Sequence, residues 1–266
     1  MPGPELLVSP EPGALGGREA HLHVLRLDAL AQASEAELRA RYGSLLAPDE
    51  AERQSRYLFE HSRRQHLLTR VLARSVLSRY APVDARAWRF GASPHGRPFI
   101  AAPALAAPLA FNLAHTDGII VCLVARGAEA GIDVEYTLRR TAFAQVGQRF
   151  FSRSEAAALR ALPVDAQRER FFAYWTLKEA YIKARGLGLA LPLGAFSFAL
   201  DDGPISIAFD ARIDDEPGAW QFERIALSPE HACAIALRAG PGARAGVRQF
   251  EWTAPPRDRP GRAGGR

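Results

Sequence analysis

The chain has 266 residues, 48% hydrophobic and 24% charged, a composition that excludes a wholly disordered, collagen-like or coiled-coil protein. A formal net charge of +5 suits a polyanionic partner, such as nucleic acid, a phosphorylated cofactor or an acidic protein. Two cysteines, Cys122 and Cys233, are too few for a disulfide framework or a cysteine-built zinc site.

Residues 1–19 are rich in Pro and Gly and are expected to form a flexible leader. They lack a signal-peptide pattern, and the longest apolar run, Ile119–Ala125, is too short to cross a bilayer, so a cytoplasmic protein off the membrane is expected. The pattern then predicts a strand at 21–28, helices at 34–46 and 49–59, and a long helix from about Ser62 to Tyr80. A strand near 86–91, the loop GASPHGRP, and strands at 109–114 and 118–126 joined at His115, Thr116 and Asp117 close a first lobe, 20–128.

The second lobe, 129–253, opens with a strand at 131–136. Helices follow near 141–149, 152–161 and 165–184, the last stopped by Gly186. Strands are expected at 195–200, 205–210, 219–227, 231–238 and 246–252, then a disordered basic tail at 254–266. FNLAHTDGIIVCLVARG (111–127) and FERIALSPEHACAIALRAG (222–240) echo each other as closing hairpins. The expected fold is α+β: two pseudo-two-fold lobes, each a long helix on a small, mostly antiparallel sheet, with a ligand cleft between them.

In GIDVE (131–135), Asp133 and Glu135 are two apart on a strand and share a face, with Ile132 and Val134 turned to the core. By themselves they suit a solvated edge. In FFAYWTLKEAYIKARG (171–186), however, Trp175, Glu179 and Lys183 recur every four residues along one helix face. If Glu179 faces the acidic strand, three carboxylates converge on a hard-oxygen site suited to Mg²⁺ and phosphate.

Of 34 cationic side chains only two, at 178 and 183, are lysine, leaving 32 arginines. A site that needs a compact ammonium cannot take arginine's planar fork, so the pair marks a constraint at Lys183. Lys178, on another helix face, is expected to accept arginine better if it only pairs with a carboxylate or reaches a partner protein. His115 and Thr116 end an apolar strand where an imidazole, a hydroxyl and a backbone amide can meet a phosphate. Arg97 rises from the HGRP turn, and Arg53, Arg56, Arg63 and Arg64 could meet a second phosphate. His21, His23, His66 and His231 read as structural, and Ser152 with Glu155 as a capping box.

GIDVE, FFSRSE and WTLKEAYIKARGLGL, in that order, with GRP at 96–98, FNLAHT at 111–116 and the arginine-rich helix at 63–79, resemble the Sfp-type 4′-phosphopantetheinyl transferases in their W-x-x-K-E-A variant. The resemblance covers about residues 50–240. It implies a monomeric enzyme that moves the phosphopantetheine arm of coenzyme A to a serine of an apo acyl or peptidyl carrier protein, with Mg²⁺ as cofactor and adenosine 3′,5′-bisphosphate leaving. It further implies Asp133, Glu135 and Glu179 as metal ligands, Glu179 as an aid to serine deprotonation, and Lys183 on the pyrophosphate. Arg97, Pro98, Asn112, His115 and Thr116 fall where the family holds coenzyme A, and Arg53, His61 or Arg64 where it holds the 3′-phosphate. The chain departs from the family at Ala114, where serine often precedes the histidine.

A non-enzymatic basic module for coenzyme A or nucleic acid is the rival reading. Exposed aromatics among basic clusters, the mark of nucleic-acid binders, are not the pattern around Trp175, so no nucleic-acid partner is expected. Another Mg²⁺-dependent phosphotransferase would want a Gly-rich Walker-type loop, which the sequence lacks.

Overall fold

The computed structural model describes residues 15–127, 129–139, 143–200 and 203–252. The expected tail at 254–266, the leader up to 14 and the start of the helix at 141–149 lie outside them. The described part of the leader is not loose: Leu15 is buried in the core, and β1 (Glu19–Arg26) already begins at Glu19.

Helices α1 (Glu35–Tyr42), α2 (Pro48–Ser55) and α3 (Glu60–Leu77) follow β1. Ser34 and Glu37 close α1 with a capping box, and Pro48 opens α2 where its missing N–H costs nothing. A hairpin of β2 (Arg89–Ala92) and β3 (Pro98–Ala102) replaces the single strand expected near 86–91, with the HGRP turn at its tip. β4 (Leu109–Thr116) and β5 (Ile119–Arg126) then turn tightly at Asp117 and Gly118. His115 and Thr116 thus belong to β4 rather than to the turn.

β6 (Ala130–Tyr136) leads through α4 (Phe143–Phe150) and α5 (Arg153–Ala161) to α6 (Val164–Arg185). α6 stops as expected: Gly186 takes the left-handed conformation at φ 67° and returns its N–H to the Ile182 carbonyl. A small hairpin, β7 (Phe196–Ala199) and β8 (Ser206–Phe209), precedes β9 (Trp220–Ser228), β10 (His231–Arg238) and β11 (Gly246–Trp252).

The strands form one sheet in the order β11-β1-β5-β4 and another in the order β6-β10-β9. β11 runs parallel to β1, so the last strand of the expected second lobe is hydrogen-bonded into the sheet of the first. α3 covers one sheet, burying Leu67, Val71, Leu72 and Val76 with Ile120, Cys122 and Val124. α6 covers the other, burying Phe172, Leu177, Tyr181 and Ala184 with Phe222 and Ala234. The opposite faces of the two sheets meet in a third core: Leu22, Val24, Val121 and Leu123 lie against Ile132, Val134, Cys233 and Ile235. The architecture is therefore α+β, in the layer order helix, sheet, sheet, helix. No helix among the described residues is long and apolar enough to cross a membrane.

Candidate functional site

β6 alternates strictly. Ile132 and Val134 enter the core between the sheets, which turns Gly131, Asp133 and Glu135 toward α6. Gly131 is what permits the approach: a Cβ there would stand 2.0 Å from the Ala180 carbonyl oxygen and 2.5 Å from the Ala184 amide nitrogen. With small residues at both contacts on α6, the helix settles onto the strand, and Glu179 and Lys183 come down beside Asp133.

Lys183 Nζ donates to Asp133 Oδ1 at 2.6 Å. Asp133 is 6% exposed, and its other oxygen, Oδ2, is buried with no hydrogen-bond partner. Glu135 accepts from the Trp175 indole N–H at 3.0 Å and pairs with Arg139 at 2.9 Å. Burial raises the carboxyl of Glu179, and the negative charge of Asp133 raises it further, while Lys183 opposes. Burial likewise raises Asp133 against the pull of Lys183, and raises Glu135 against that of Arg139. Glu179 thus lies within electrostatic reach of Asp133, Glu135 and Lys183. Even so, no three or more His, Cys, Asp or Glu among the described residues stand as a ready-made metal cage.

Beside this cluster lies a cavity of about 230 Å³, lined by the HGRP turn from one side and by Glu179, Ile182, Lys183, Gly186 and Gly188 from the other, with Asn112 and Leu113 between. Arg97 and Pro98 are in its wall, but the Arg97 guanidinium is engaged: it donates to the Ala184 carbonyl at 2.5 Å and to the Ala130 carbonyl at 3.5 Å. It therefore ties the turn to both elements that carry the cluster. Gly186 makes room for it, since a Cβ there would meet Arg97 Cδ at 2.8 Å.

Asn112 Oδ1 accepts the Ile132 N–H at 2.8 Å, and Thr116 Oγ1 accepts the Tyr136 N–H at 3.1 Å. These two side chains bind β4 to the acidic strand across the sheet boundary. His115, between them in β4, is open to solvent at one edge, yet desolvation and then the Lys183 charge hold its imidazole below its ordinary value.

Of the residues expected to hold coenzyme A, His115 and Thr116 do not line the cavity, and three others line separate grooves. His61 and Arg64 line a separate groove with Leu27, Glu60, Gln65 and Leu68, and Arg64 donates to the Ala33 and Leu30 carbonyls. Arg53 lines another with Asp49, Glu52, Arg56 and Tyr57. Arg63 is paired with Glu35.

His66, expected to be structural, has both ring nitrogens buried without a partner. Burial, and then the charges of Arg70 and Arg53, lower it to about 4. His66 and Arg70 stand one turn apart on α3 and so share a helix face. His95 is also in the cavity wall, and its only signal in the sequence is the HGRP turn that carries it.

Lys178 has a different part from Lys183. It is 0% exposed, pairs with Glu155 Oε2 at 2.8 Å, and donates to the Leu193 and Phe196 carbonyls at 2.9 and 2.7 Å. Glu155 closes the expected capping box with Ser152 and also accepts the Phe198 N–H.

Residues 129–236 match the family described as the 4′-phosphopantetheinyl transferase superfamily, and residues 32–127 match 4′-phosphopantetheinyl transferase, N-terminal. The chain is 34% identical over 192 residues to 4′-phosphopantetheinyl transferase HetI of Nostoc sp., covering 72% of this chain and 77% of that protein. It is 36% identical over 169 residues to 4′-phosphopantetheinyl transferase Sfp of Bacillus subtilis, covering 63% and 72%. A more distant relative, L-aminoadipate-semialdehyde dehydrogenase-phosphopantetheinyl transferase of Xenopus laevis, is 26% identical over 203 residues, 71% of this chain and 67% of that one.

Proposed function

The chain belongs to the 4′-phosphopantetheinyl transferases, and from that premise we propose that it carries the arm of coenzyme A to a serine of an apo carrier protein, with Asp133, Glu135 and Glu179 holding Mg²⁺. The observation that carries this is that Glu179 and Lys183 form one wall of a cavity while Lys183 also holds Asp133, whose second carboxylate oxygen is buried and unsatisfied. Such an orphan is costly unless something occupies it, and an all-oxygen donor set suits a hard divalent cation. Bound there, the cation would neutralise charge on the diphosphate.

The remaining chemistry belongs to the chain. In the transfer, the serine oxygen forms a bond to the phosphorus that bears the pantetheine, and the bond from that phosphorus to the oxygen of adenosine 3′,5′-bisphosphate breaks. Lys183 would take up the negative charge on the departing phosphate, and the Glu179 carboxylate would accept the serine proton. The HGRP turn, Asn112 and His115 would flank the nucleotide end. The 3′-phosphate would be held by a basic residue of α2 or α3, with Arg53, His61 and Arg64 the candidates, each lining a groove apart from the cavity. Both walls of the cavity come from one chain, which favours a monomer.

The test is direct. Protein, coenzyme A, Mg²⁺ and an apo carrier are incubated and the carrier is weighed by mass spectrometry. A gain of one phosphopantetheine is expected, abolished by chelator and by Asp133→Asn. An unmodified carrier, or full activity of Asp133→Asn at saturating Mg²⁺, would overturn the assignment.

A further inference from the structure

Two of the three carboxylates already have cations of the chain's own. Lys183 sits on Asp133 at 2.6 Å, and Arg139, reaching back from the turn after β6, sits on Glu135 at 2.9 Å. Among the described residues, neither cation has a second carboxylate partner. The Arg139 Nε is buried with no hydrogen bond, and its guanidinium lies over the Phe172 ring at 5.7 Å. Among the described residues Lys183 Nζ has a single hydrogen bond, to Asp133, on a flexible four-carbon stem. Lys178, by contrast, has three acceptors and no exposure, and cannot move.

Resting on the metal site proposed above, we propose that Lys183 and Arg139 are resident counter-ions of the carboxylate cluster, which a divalent cation must displace, and that this displacement frees Lys183 for the diphosphate. A carboxylate neutralised by an ammonium offers little charge to a second cation, so the resident pair and the incoming ion compete for the same oxygens. The competition also couples the two ligands. A diphosphate that draws Lys183 away from Asp133 strengthens the cation site, and by linkage the cation strengthens diphosphate binding by the same factor. Arg139 acquires a part that its place outside the recognisable motifs does not suggest: it sets how tightly Glu135 is held back.

Mn²⁺ is the probe, titrated without coenzyme A and followed through the electron paramagnetic resonance of the free ion. The proteins are wild type, Lys183→Met, Arg139→Met and Asp133→Asn, with Lys183→Gln and Arg139→Gln as second variants should a methionine impair folding by circular dichroism. Losing a charge-assisted hydrogen bond that competes with the ion should tighten Mn²⁺ binding about tenfold in Lys183→Met. A smaller gain is expected in Arg139→Met, because that side chain is 40% exposed against 28% for Lys183. Asp133→Asn should bind more weakly than wild type. In wild type, coenzyme A should tighten Mn²⁺; in Lys183→Met most of that coupling should vanish. Unchanged or weaker Mn²⁺ binding in a variant overturns the counter-ion role of that residue. If no protein binds Mn²⁺, Lys183→Met included, the metal site itself is wrong and the exchange falls with it.

Discussion

Gly131 and Ala180 are in backbone contact: no Cβ fits on residue 131, because it would lie 2.0 Å from the Ala180 carbonyl oxygen. Because the clash is with helix backbone rather than with a side-chain tip, it cannot be relieved by a rotamer change. Gly131→Ala should push α6 away from β6, cost about 1–3 kcal/mol of stability by overpacking, and lower turnover more than coenzyme A affinity, since Asp133 and Lys183 ride on the two separated elements. Urea unfolding and steady-state kinetics check both halves; a variant with wild-type stability and turnover would remove the contact from the argument.

Lys183→Arg should be a poor replacement although it keeps the charge. The ammonium fits beside Asp133 as a point donor, and a planar fork cannot take the same place. Loss of one transition-state contact of this kind is worth about 3 kcal/mol, or on the order of a hundredfold in kcat/KM. Near-wild-type kcat/KM in carrier modification would place Lys183 away from the reacting phosphate.

Lys178→Arg should also fail, for another reason. Lys178 does pair with a carboxylate, as one sequence expectation had it, but the pair is sealed from solvent with the ammonium fully used, and a larger side chain has no room. Removing the charge, as in Lys178→Met, would leave Glu155 buried and unpaired, at a cost of about 3–5 kcal/mol. Thermal melts should show both variants destabilised, with coenzyme A affinity at low temperature unaffected in whatever fraction remains folded. Wild-type melting of Lys178→Met would mean that Glu155 is satisfied by its backbone donors alone.

Acid should destabilise the protein through His21 and His23. Both are buried against Tyr80, whose hydroxyl lies 2.9 Å from one imidazole and 2.6 Å from the other, with Phe250 alongside. Burial lowers both, His23 to about 3. A depressed histidine binds its proton in the unfolded chain before it does so in the native one. Its stabilisation is complete above about pH 6.5 and is lost as pH falls toward 3, at up to about 1.4 kcal/mol per pH unit for each such group. The raised carboxylates of the site act in the opposite sense, so the comparison must be internal. The urea midpoint of wild type should fall more steeply below pH 6.5 than that of a folded His23→Asn variant; parallel curves would exclude His23 as the source.

The order of helices and strands, the stop of α6 at Gly186, the capping boxes and the acidic face of β6 were all written locally, in periodicities of two and 3.6 and in turn residues that act on their immediate neighbours. For the same reason the sequence puts Asp133 with Glu135 on one face of β6 and Glu179 with Lys183 on one face of α6. What a side chain does with its face is decided by atoms distant in sequence. Arg97 was legible as a cation in a turn, but only packing gave it the Ala184 carbonyl; Asn112 and Thr116 were legible as polar residues near a strand end, but only the meeting of the sheets gave them Ile132 and Tyr136 as partners. His66 and Arg139 followed the same rule in the other direction. Nothing adjacent in the sequence distinguishes a buried imidazole that finds no partner from one that does, or an arginine that folds back onto Glu135 from one in water, because burial and pairing arise only when separate elements exclude solvent from the space between them.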